Sequence, residues 1–554
     1  MRTELDRKFD EKLAELTAPG GRLVIARDAE GRAYVENLPG TLPALFRAFC
    51  SLNGEAEAVV CGDERLTFAE LDRVSECAAH GLVARGIGKG DRVAIAMRNC
   101  PSWIVSYMAI VKAGGIATLL NGWWEQAEME QAIRLSDPKL IIADTPRAKR
   151  IAERCADSAV LSIPIERPID EAMAELLHDR DENSVLPEAS PEDEATILFT
   201  SGSTGEAKGA LSSHRAVTTA TYAYASGLMV LRAILESEGN PPPTPRTLLS
   251  VPLFHVTGEV PVMINSFVIG RCMVVMPKWD VTEALRLIEK ERITYFVGVP
   301  TMSLELMNHP AREKYDLSSL RDITAGGAPR PISHVERLRE EFPWAQPALG
   351  YGLTETNAAG FANFWGNYAA RPASTGRPQV PFIEAAILGA DDRHLPAGEV
   401  GEIAIRSATN ITGYWRNPAA TAAAFTADGY FRTGDIGYLD EDGYLFIVDR
   451  KKEIIIRGGE NISAAEVEAA CYACDSVAEA SVFGAPDERL GEVPVAVIHL
   501  NESAELSEAD LLTFLDGRLA RFKIPARVIF SASSLPRLGT GKIDRRALKA
   551  QYAQ

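Results

Sequence analysis

The chain alternates short apolar runs with longer stretches in which apolar residues recur at helical spacing. Six runs rich in valine and isoleucine have the length of buried strands: RVAIAM, LIIAD, ATILF, TLLSVPLF, CMVVMP and ITYFVGV. The segment VTEALRLIEKER, between the last two, has helical periodicity. Strands that alternate with helices form largely parallel sheets with helices on both faces. The pattern therefore predicts an α/β fold with a large N-terminal domain of layered α/β sheets.

The pattern changes from about Arg371 onwards, where glycines come closer together and the strands become polar, as in GEIAIR and DGYFRTGDIGYLDEDGYLFIVDR. This texture predicts a small antiparallel, barrel-like subdomain. After Asp449 a strand, a glycine pair, a helix and further strands follow, which is enough for a smaller α+β domain. We therefore predict an N-terminal extension over 1–40, a large domain over 41–449 and a small C-terminal domain over 450–554.

Two segments are rich enough in apolar residues to be compared with an export signal and a membrane span. The first twenty residues space Leu5, Phe9, Leu13 and Leu16 at helical intervals among charges, which predicts an amphipathic helix and not a secretory signal. The stretch WIVSYMAIVKAGGIATLL carries Lys112 and a glycine pair, so it reads as a buried helix running into a strand. We expect a cytoplasmic protein without integral membrane contact.

Composition narrows the classes of partner. The 554 residues exceed what one core supports, and the net charge of −18 disfavours nucleic acid as the main partner. The eight cysteines are irregularly spaced, which suggests reduced thiols. Cys471 and Cys474 form a CxxC inside a helical pattern, and we interpret them as helix-face cysteines and not as a zinc or redox site.

The loop FTSGSTGEAKGAL, residues 199–211, follows a predicted strand and combines glycines, hydroxyls and one lysine. Glycines let the backbone approach a ligand closely, and hydroxyl, amide and ammonium groups donate to phosphate oxygens. The Walker pattern needs a second glycine where Ala207 stands and a serine or threonine where Gly209 stands. The sequence therefore predicts a phosphate loop of a different kind.

Six further motifs follow in order: PLFHVTG (252–258), AGGAP (325–329), GYGLTET (350–356), YFRTGD (430–435), DRKKEIIIRGGENIS (449–463) and PRLGTGKI (536–543). Together with the opening loop, their order and spacing closely resemble the adenylate-forming superfamily, and its fatty-acyl-CoA synthetase branch most of all. The resemblance covers the chain from about Thr41 to its end. It implies that a carboxylate reacts with ATP to give acyl-AMP and pyrophosphate, and that the acyl group then passes to a thiol.

The resemblance implies a site for ATP and Mg²⁺. The loop from Thr200 to Lys208 would hold the phosphates, and small residues of the AGGAP motif would take the adenine, on which Tyr351 stacks beside Gly352. Thr354 would bond a phosphate oxygen, Glu355 would hold Mg²⁺, and Asp435 and Arg450 would hold the ribose. The full set of expected ATP-binding residues is Thr200, Ser201, Gly202, Ser203, Thr204, Gly205, Lys208, Gly326, Gly327, Ala328, Pro329, Tyr351, Gly352, Asp435 and Arg450.

The same resemblance assigns roles to the small domain. Lys542 matches the catalytic lysine, whose ammonium would bridge the substrate carboxylate and the α-phosphate. Lys452 matches a hinge about which the domain, a mobile lid, rotates between the two half-reactions. After rotation, Gly458, Gly459 and Glu460 would face the site and leave room for coenzyme A.

The sequence leaves the identity of the carboxylic acid and of the thiol acceptor partly undecided. His255 matches a position beside the substrate carboxylate, and Val256 and Val260 are expected to line the acyl pocket, which favours an apolar medium- or long-chain acid. Coenzyme A is the favoured acceptor; the alternatives are an acyl-AMP ligase that loads a carrier protein and a non-catalytic nucleotide-binding member of the fold. The expected partners are a small carboxylate, ATP and coenzyme A, and a homodimer is left open.

Overall fold

The structure, a computed structural model, describes residues 2–124, 126–155, 157–178, 184–201, 207–328, 330–450, 453–457, 460–487, 489–502, 504–516, 518–538 and 541–553. The side chains of residues 201, 450, 460 and 461 are not described. The described chain forms a mixed α/β structure with a large N-terminal part and a smaller C-terminal part, which confirms the predicted fold class.

The first large sheet is parallel at its centre. Its strands are β5 (Arg92–Ala96), β6 (Ile116–Leu119), β7 (Leu140–Asp144), β8 (Val160–Ile163), β9 (Glu194–Ser201), β10 (Ala207–Ser213) and β20 (Gly413–Tyr414). They lie in the order β20-β10-β9-β6-β5-β7-β8, and β10 runs antiparallel to both of its neighbours. The edge strand β20 comes from a distant part of the chain, so this sheet brings residue 414 beside the phosphate loop.

The second large sheet has nine strands. They are β3 (Glu57–Cys61), β4 (Glu64–Thr67), β11 (Arg246–Leu249), β12 (Cys272–Val275), β13 (Tyr295–Gly298), β14 (Asp322–Gly326), β15 (Gln346–Gly352), β16 (Gly360–Phe364) and β17 (Arg377–Pro378). Their order is β17-β16-β15-β14-β13-β11-β12-β3-β4. The strands from β3 to β15 in this order are parallel, so their carboxyl ends share one edge.

Helices cover these two sheets. They are α2 (Leu42–Asn53), α3 (Phe68–Ala84), α4 (Pro101–Lys112), α5 (Gln126–Ser136), α6 (Thr145–Arg154), α7 (Ile169–Ala172), α8 (Ala174–His178), α9 (His214–Ser237), α10 (Asn265–Ile269), α11 (Val281–Lys290), α12 (Pro300–Asn308), α13 (Ile332–Glu341) and α14 (Trp365–Ala370). Every residue of α4 is buried, including Lys112, whose ammonium pairs with Asp72 and Glu76. Among the described residues, we find no helix with the length and apolarity needed to cross a membrane.

The predicted run TLLSVPLF does not form one strand. Strand β11 ends at Leu249, and the chain then turns away. Pro252 has no N–H to donate to a neighbouring strand, and the side chain of Asn99 accepts from the Leu253 amide and donates to the Val251 carbonyl. Side-chain hydrogen bonds thus replace the strand ladder just before His255.

The polar, glycine-rich region forms a four-stranded antiparallel sheet. Its strands are β18 (Glu384–Leu388), β19 (Gly401–Arg406), β21 (Phe431–Leu439) and β22 (Leu445–Arg450), and α15 (Pro418–Ala424) lies beside it. The C-terminal part has its own five-stranded sheet of β23 (Ile455–Arg457), β24 (Glu460–Ile462), β25 (Val477–Asp487), β26 (Gly491–Leu500) and β27 (Arg527–Ser531), with α16 (Ala464–Tyr472), α17 (Glu508–Leu515) and α18 (Arg545–Tyr552). It also has its own apolar core, which includes the buried Cys471 and Cys474.

The N-terminal extension packs on the large part of the molecule. Helix α1 (Glu4–Thr17) places Leu13 against Val230 and Ile234 of α9, and the hairpin of β1 (Ile25–Arg27) and β2 (Ala33–Val35) adds residues to the main core. Asp6 is buried and accepts hydrogen bonds from Tyr444 and Asn367. Helix α1 is therefore held against the large N-terminal part of the chain.

Candidate active site

The phosphate loop joins two antiparallel strands. Strands β9 and β10 pair Thr200 with Lys208 and Ser201 with Ala207, and residues 202–206 join the two strands. The Lys208 ammonium lies 4.9 Å from the ring centre of Tyr414, a cation–π contact that holds it at the loop's base. A Walker loop leads from a strand into a helix, whereas the residues after this loop form a second strand, in agreement with the departure of the sequence from that pattern.

Several predicted residues lie outside the described residues. These are Gly202, Ser203, Thr204 and Gly205 of the phosphate loop, Pro329, the hinge residue Lys452, and Gly458 and Gly459. Ser201, Arg450 and Glu460 are described only by their backbone.

The predicted magnesium ligand lies beside the phosphate loop. The Tyr414 hydroxyl donates to Glu355 Oε1 over 2.9 Å, so one tyrosine contacts both Glu355 and Lys208. Burial first, and then the neighbouring Glu355 carboxylate, raise the pKa of Tyr414 well above its usual value, so the hydroxyl keeps its proton and donates. Thr354 and Glu355 lie in a single 3₁₀ turn, Thr354–Thr356.

A strained turn fixes this segment. Asn357 and Ala358 both have positive φ, at 52° and 64°, a conformation that costs energy for residues other than glycine. Asn357 is buried and donates to the Thr409 carbonyl, and the Tyr224 hydroxyl of α9 donates to the Ala358 carbonyl over 2.6 Å. At Gly352 an added Cβ would lie 1.9 Å from the Ala358 carbonyl oxygen, so only glycine fits there.

The residues expected to bind the adenine and the ribose contact each other. The Tyr351 hydroxyl donates to Asp435 Oδ2 over 2.6 Å, and Asp435 is 5% exposed. Asp435 also stands opposite Arg450 in the register of β21 and β22. The three residues that the sequence assigned to adenine and ribose therefore share one corner of the structure.

The C-terminal lysine lies at the carboxyl edge of the second sheet. Gly326 ends β14 and Gly327 follows with φ of 75°; Ala328 comes next. A Cβ placed on Gly327 would lie 3.4 Å from the Lys542 Nζ atom and 3.1 Å from its Cε atom. The neighbouring Gly541 approaches Val299 in the same way, at 3.2 Å. Two residues of the C-terminal part are thus held against the ends of β13 and β14.

The charge of the same lysine acts on His255. Burial first, and then the positive charge of Lys542, lower the pKa of His255 to about 3, so its imidazole is neutral at physiological pH. The residues after it form a π-helix, Gly258–Ile264, a feature common at functional sites. Arg271 donates to the Pro261 and Val262 carbonyls of this helix. Val256 and Val260, expected in the acyl pocket, are both buried in the main core.

The basic residues near the β23–β24 hairpin have partners of their own. Arg457 and Glu460 stand opposite each other in this hairpin, and Arg457 donates to the Phe522 carbonyl. Lys523, the next residue, is paired with both oxygens of Glu466 at 2.7 Å.

The sequence analysis did not identify Tyr414 or Tyr224. Both act through contacts with residues more than fifty positions away, Glu355 and Ala358 respectively. Nothing in their local sequence marks them, since a tyrosine in a short strand or a long helix is usually a packing residue.

The residues present suit magnesium only in combination with substrate. Within the described part of the chain, no group of three or more histidine, cysteine or acidic residues has the arrangement of a protein-made metal site. Mg²⁺ is commonly held by one or two carboxylates together with substrate phosphates. A single carboxylate, Glu355, oriented by Tyr414 beside the phosphate loop, fits that mode.

Comparison with known proteins identifies the family. Residues 46–415 match the family model described as AMP-binding enzyme, and residues 466–542 match the AMP-binding enzyme C-terminal domain. The chain is 33% identical to a long-chain-fatty-acid–CoA ligase of Bacillus subtilis (strain 168), over 88% of this chain and 90% of that protein.

Two further relatives extend the comparison. The chain is 33% identical to 3-[(3aS,4S,7aS)-7a-methyl-1,5-dioxo-octahydro-1H-inden-4-yl]propanoyl:CoA ligase of Rhodococcus jostii (strain RHA1), over 93% of this chain and 99% of that protein. The solved structure of o-succinylbenzoate coenzyme A synthetase (MenE) from Bacillus subtilis, in complex with ATP and magnesium ion, superposes with a TM-score of 0.77 at 28% identity, over 91% of this chain and 99% of that one. The chain therefore belongs to the AMP-binding enzyme family of the adenylate-forming superfamily, as an AMP-forming carboxylate–CoA ligase.

Proposed function

We propose that this protein activates an apolar carboxylic acid with ATP and passes the acyl group to coenzyme A. The observation that carries the proposal is the position of Lys542 against Gly327, at the carboxyl edge of the second sheet, where its charge also acts on His255. Ligands of α/β sheets bind at this edge. A cation held there by the C-terminal part stabilises charge that develops between a carboxylate and the α-phosphate.

In this proposal ATP lies across the loop and the sheet edge. The phosphates bind to the loop from Thr200 to Lys208, the adenine lies on Gly326–Pro329 and against Tyr351, and the ribose hydroxyls donate to Asp435 with support from Arg450. The Tyr351–Asp435 hydrogen bond orients the carboxylate before nucleotide binds. Thr354 donates to a phosphate oxygen.

Glu355 is the residue that would hold Mg²⁺. When bound, the ion neutralises phosphate charge that would otherwise repel the incoming carboxylate. Tyr414 orients Glu355 and, through its ring, keeps Lys208 at the base of the phosphate loop.

The acid binds beside His255, with its carboxylate toward Lys542. The carboxylate oxygen attacks the α-phosphorus of ATP and pyrophosphate leaves, so that an acyl-adenylate remains. Because His255 stays neutral, it can hydrogen-bond the acid without adding charge to it. The buried Val256 and Val260 make the surroundings apolar, and the two ligase relatives are named for a fatty acid and for a bicyclic propanoic acid. We therefore favour an apolar alkyl or ring-bearing acid.

The second step needs a different arrangement. The coenzyme A thiolate must reach the acyl carbonyl where Lys542 now lies, so the C-terminal part rotates about Lys452 and presents Gly458, Gly459 and Glu460 to the site. The thiolate adds to the carbonyl carbon, AMP leaves, and the thioester forms. The eight cysteines are all unpaired, which suits the reducing cytoplasm that we propose as its location.

Pyrophosphate release from ATP and Mg²⁺ over a panel of acids, short to long, branched and aromatic, tests the proposal. Each acid is assayed with and without coenzyme A, and products are identified by mass. We expect coenzyme-A-dependent turnover and a thioester for one class of apolar acids. Accumulation of acyl-AMP with no thioester would replace coenzyme A by a carrier protein, and no pyrophosphate with any acid would overturn catalysis.

A further inference from the structure

Lys542 lies in a loop whose residues have little apolar packing of their own. The loop leaves the core of the C-terminal part at Leu535, which is buried, and returns at Ile543, which packs on the same core. Pro536 and Leu538, between these two anchors, are both exposed. A segment that faces solvent needs polar bonds to keep a single conformation.

Both peptide groups that flank Lys542 are fixed by hydrogen bonds. The Leu538 amide donates to the Lys542 carbonyl over 2.8 Å, and the Arg537 guanidinium donates to the Gly541 carbonyl over 2.8 Å. Because each peptide group is planar, fixing the groups on both sides of a residue also fixes the direction in which its side chain leaves the backbone. Arg537 therefore helps to set the direction of the Lys542 side chain.

A buried carboxylate holds Arg537 in turn. Glu479 of β25 is 7% exposed; its Oε1 accepts from Nη2 of Arg537, and its Oε2 accepts from the Leu535 amide over 2.6 Å. Nη1 of the same arginine makes the bond to the Gly541 carbonyl. A planar guanidinium presents its donors in fixed directions, so one side chain can join a strand to a loop. Strand β25 is a firm support, because it pairs with β26 along its length.

The pair of Arg537 and Glu479 lies near a contact between the two parts of the chain. The Ala480 carbonyl, next to Glu479, accepts from the Tyr472 hydroxyl, and the Tyr472 ring packs on His334 of α13 with ring centres 5.7 Å apart. The same stretch of β25 therefore supports both the lysine loop and a contact with the large part.

We propose that Arg537, fixed by Glu479, is a positioning residue that holds Lys542 in the direction needed for adenylation. This inference rests on the function proposed above. A displacement of about 1 Å in a reacting group can cost on the order of 10²-fold in rate, so a bond that sets the direction of the lysine affects catalysis without contact with the substrate. Rotation of the C-terminal part takes the loop away from the site, so the pair has no part in thioester formation.

The two half-reactions, measured separately on the purified full-length protein, test this role. With ATP, Mg²⁺ and an acid that the wild-type protein activates, Arg537→Leu should slow pyrophosphate release about 10- to 100-fold and change KM for ATP less than about twofold. Thioester formation from coenzyme A and supplied acyl-AMP should stay within a few-fold of the wild-type rate. Arg546→Leu, the same substitution at an exposed arginine of α18, is the matched control and should leave both rates unchanged.

A double variant shows whether Arg537 acts through the lysine. Once Lys542→Ala has removed the ammonium, Arg537→Leu should slow pyrophosphate release by less than about twofold more, because no charge remains to be positioned. Losses that multiply would mean that Arg537 acts on the reaction by itself, and the positioning role would be wrong.

Two milder variants serve if Arg537→Leu does not fold. Arg537→Lys can still pair with Glu479 but lacks the second arm of the fork, which reaches the Gly541 carbonyl. Glu479→Gln keeps an oxygen for the Leu535 amide and removes the charge that fixes the arginine. Each should slow pyrophosphate release at least about threefold and leave thioester formation unchanged. Wild-type pyrophosphate release in both would contradict the proposal.

The outcomes separate this inference from the proposed function. If no acid gives pyrophosphate with the wild-type protein, the proposed function fails. If the wild-type protein turns over but Arg537→Leu slows both half-reactions by the same factor, or slows neither, the positioning role is overturned. A loss confined to pyrophosphate release that disappears in the Lys542→Ala background supports it.

Discussion

The Lys542 ammonium is brought to Gly327 and His255 by a separate part of the chain, so its charge acts on the site only in this arrangement. Electrostatic donors of this kind contribute most when they are fixed before the reaction. We therefore expect its role to be confined to the step in which pyrophosphate is released.

Lys542→Ala should slow pyrophosphate release by roughly 10²- to 10³-fold, by analogy with lost oxyanion donors. Thioester formation from acyl-AMP supplied to the protein should stay within a few-fold of the wild-type rate, because that step takes place after rotation. Lys549→Ala, an exposed lysine of α18, is the control. Equal loss in both half-reactions would contradict the assignment.

Glu259 adds a pH dependence of stability. It is fully buried, accepts from the Tyr107 hydroxyl over 2.7 Å, and burial raises its pKa to about 8 despite that hydrogen bond. The folded protein thus holds a proton that the unfolded chain releases near pH 4.5. Folded-state stability is therefore lost as pH rises from about 4.5 to about 8, by up to about 1.4 kcal/mol per pH unit.

Glu259→Gln should remove this loss. Thermal unfolding of both proteins between about pH 5 and about pH 8 measures it: the difference in melting temperature, variant minus wild type, should grow with pH. A difference that stays constant over this range would show that Glu259 is ionised in the folded protein.

At the scale of elements, α1 is held by one buried carboxylate. Asp6 accepts from the Thr3 amide, the Tyr444 hydroxyl and Asn367 Nδ2, and Arg377 lies 3.4 Å away. Burial opposes its charge, but these donors outweigh burial and lower the pKa of Asp6. The helix is thereby tied to Asn367 of α14 and to Tyr444, the residue before β22.

Asp6→Ala should destabilise the protein by about 3 kcal/mol and make the α1 segment sensitive to protease, because it leaves several buried donors unpaired. Asp10→Ala is the matched control, since Asp10 lies on the same helix and also pairs with Arg377 but is more exposed. Removal of the Asp10 carboxylate should lower the free energy of unfolding by less than about 1 kcal/mol. Thermal unfolding and limited proteolysis measure both, and equal effects would contradict the special role of Asp6.

At the scale of the whole molecule, the described arrangement suits adenylation. Besides Lys542, the large and small parts meet where His334 of α13 packs on Tyr472 of α16, with ring centres 5.7 Å apart. Rotation of the C-terminal part for thioester formation must break this contact.

In the double variant His334→Cys and Tyr472→Cys, a short bismaleimide that joins the two new cysteines should trap this arrangement. We expect the bridged protein to form acyl-AMP and release pyrophosphate once, and to lose thioester formation. Each single cysteine variant treated with the same reagent is the control, because the native cysteines also meet the reagent. Wild-type thioester formation by the bridged protein would exclude rotation as a required step.

The amino-acid sequence was enough to predict the fold class, the family and the candidate site residues. Apolar runs such as LIIAD and ATILF became β7 and β9 because their burial needs no partner other than the sheet they join. The run TLLSVPLF was read as one strand and is not, since the Asn99 side chain, about 150 positions earlier, takes its backbone bonds. The predicted roles of the site residues remain predictions.

Contacts between side chains that are far apart in the sequence became visible in the tertiary structure alone. Tyr414 on Glu355, Tyr351 on Asp435, and Lys542 against Gly327 join segments separated by between about sixty and more than two hundred residues. Local patterns record what a segment must bury, whereas contacts between segments depend on how the finished layers pack together.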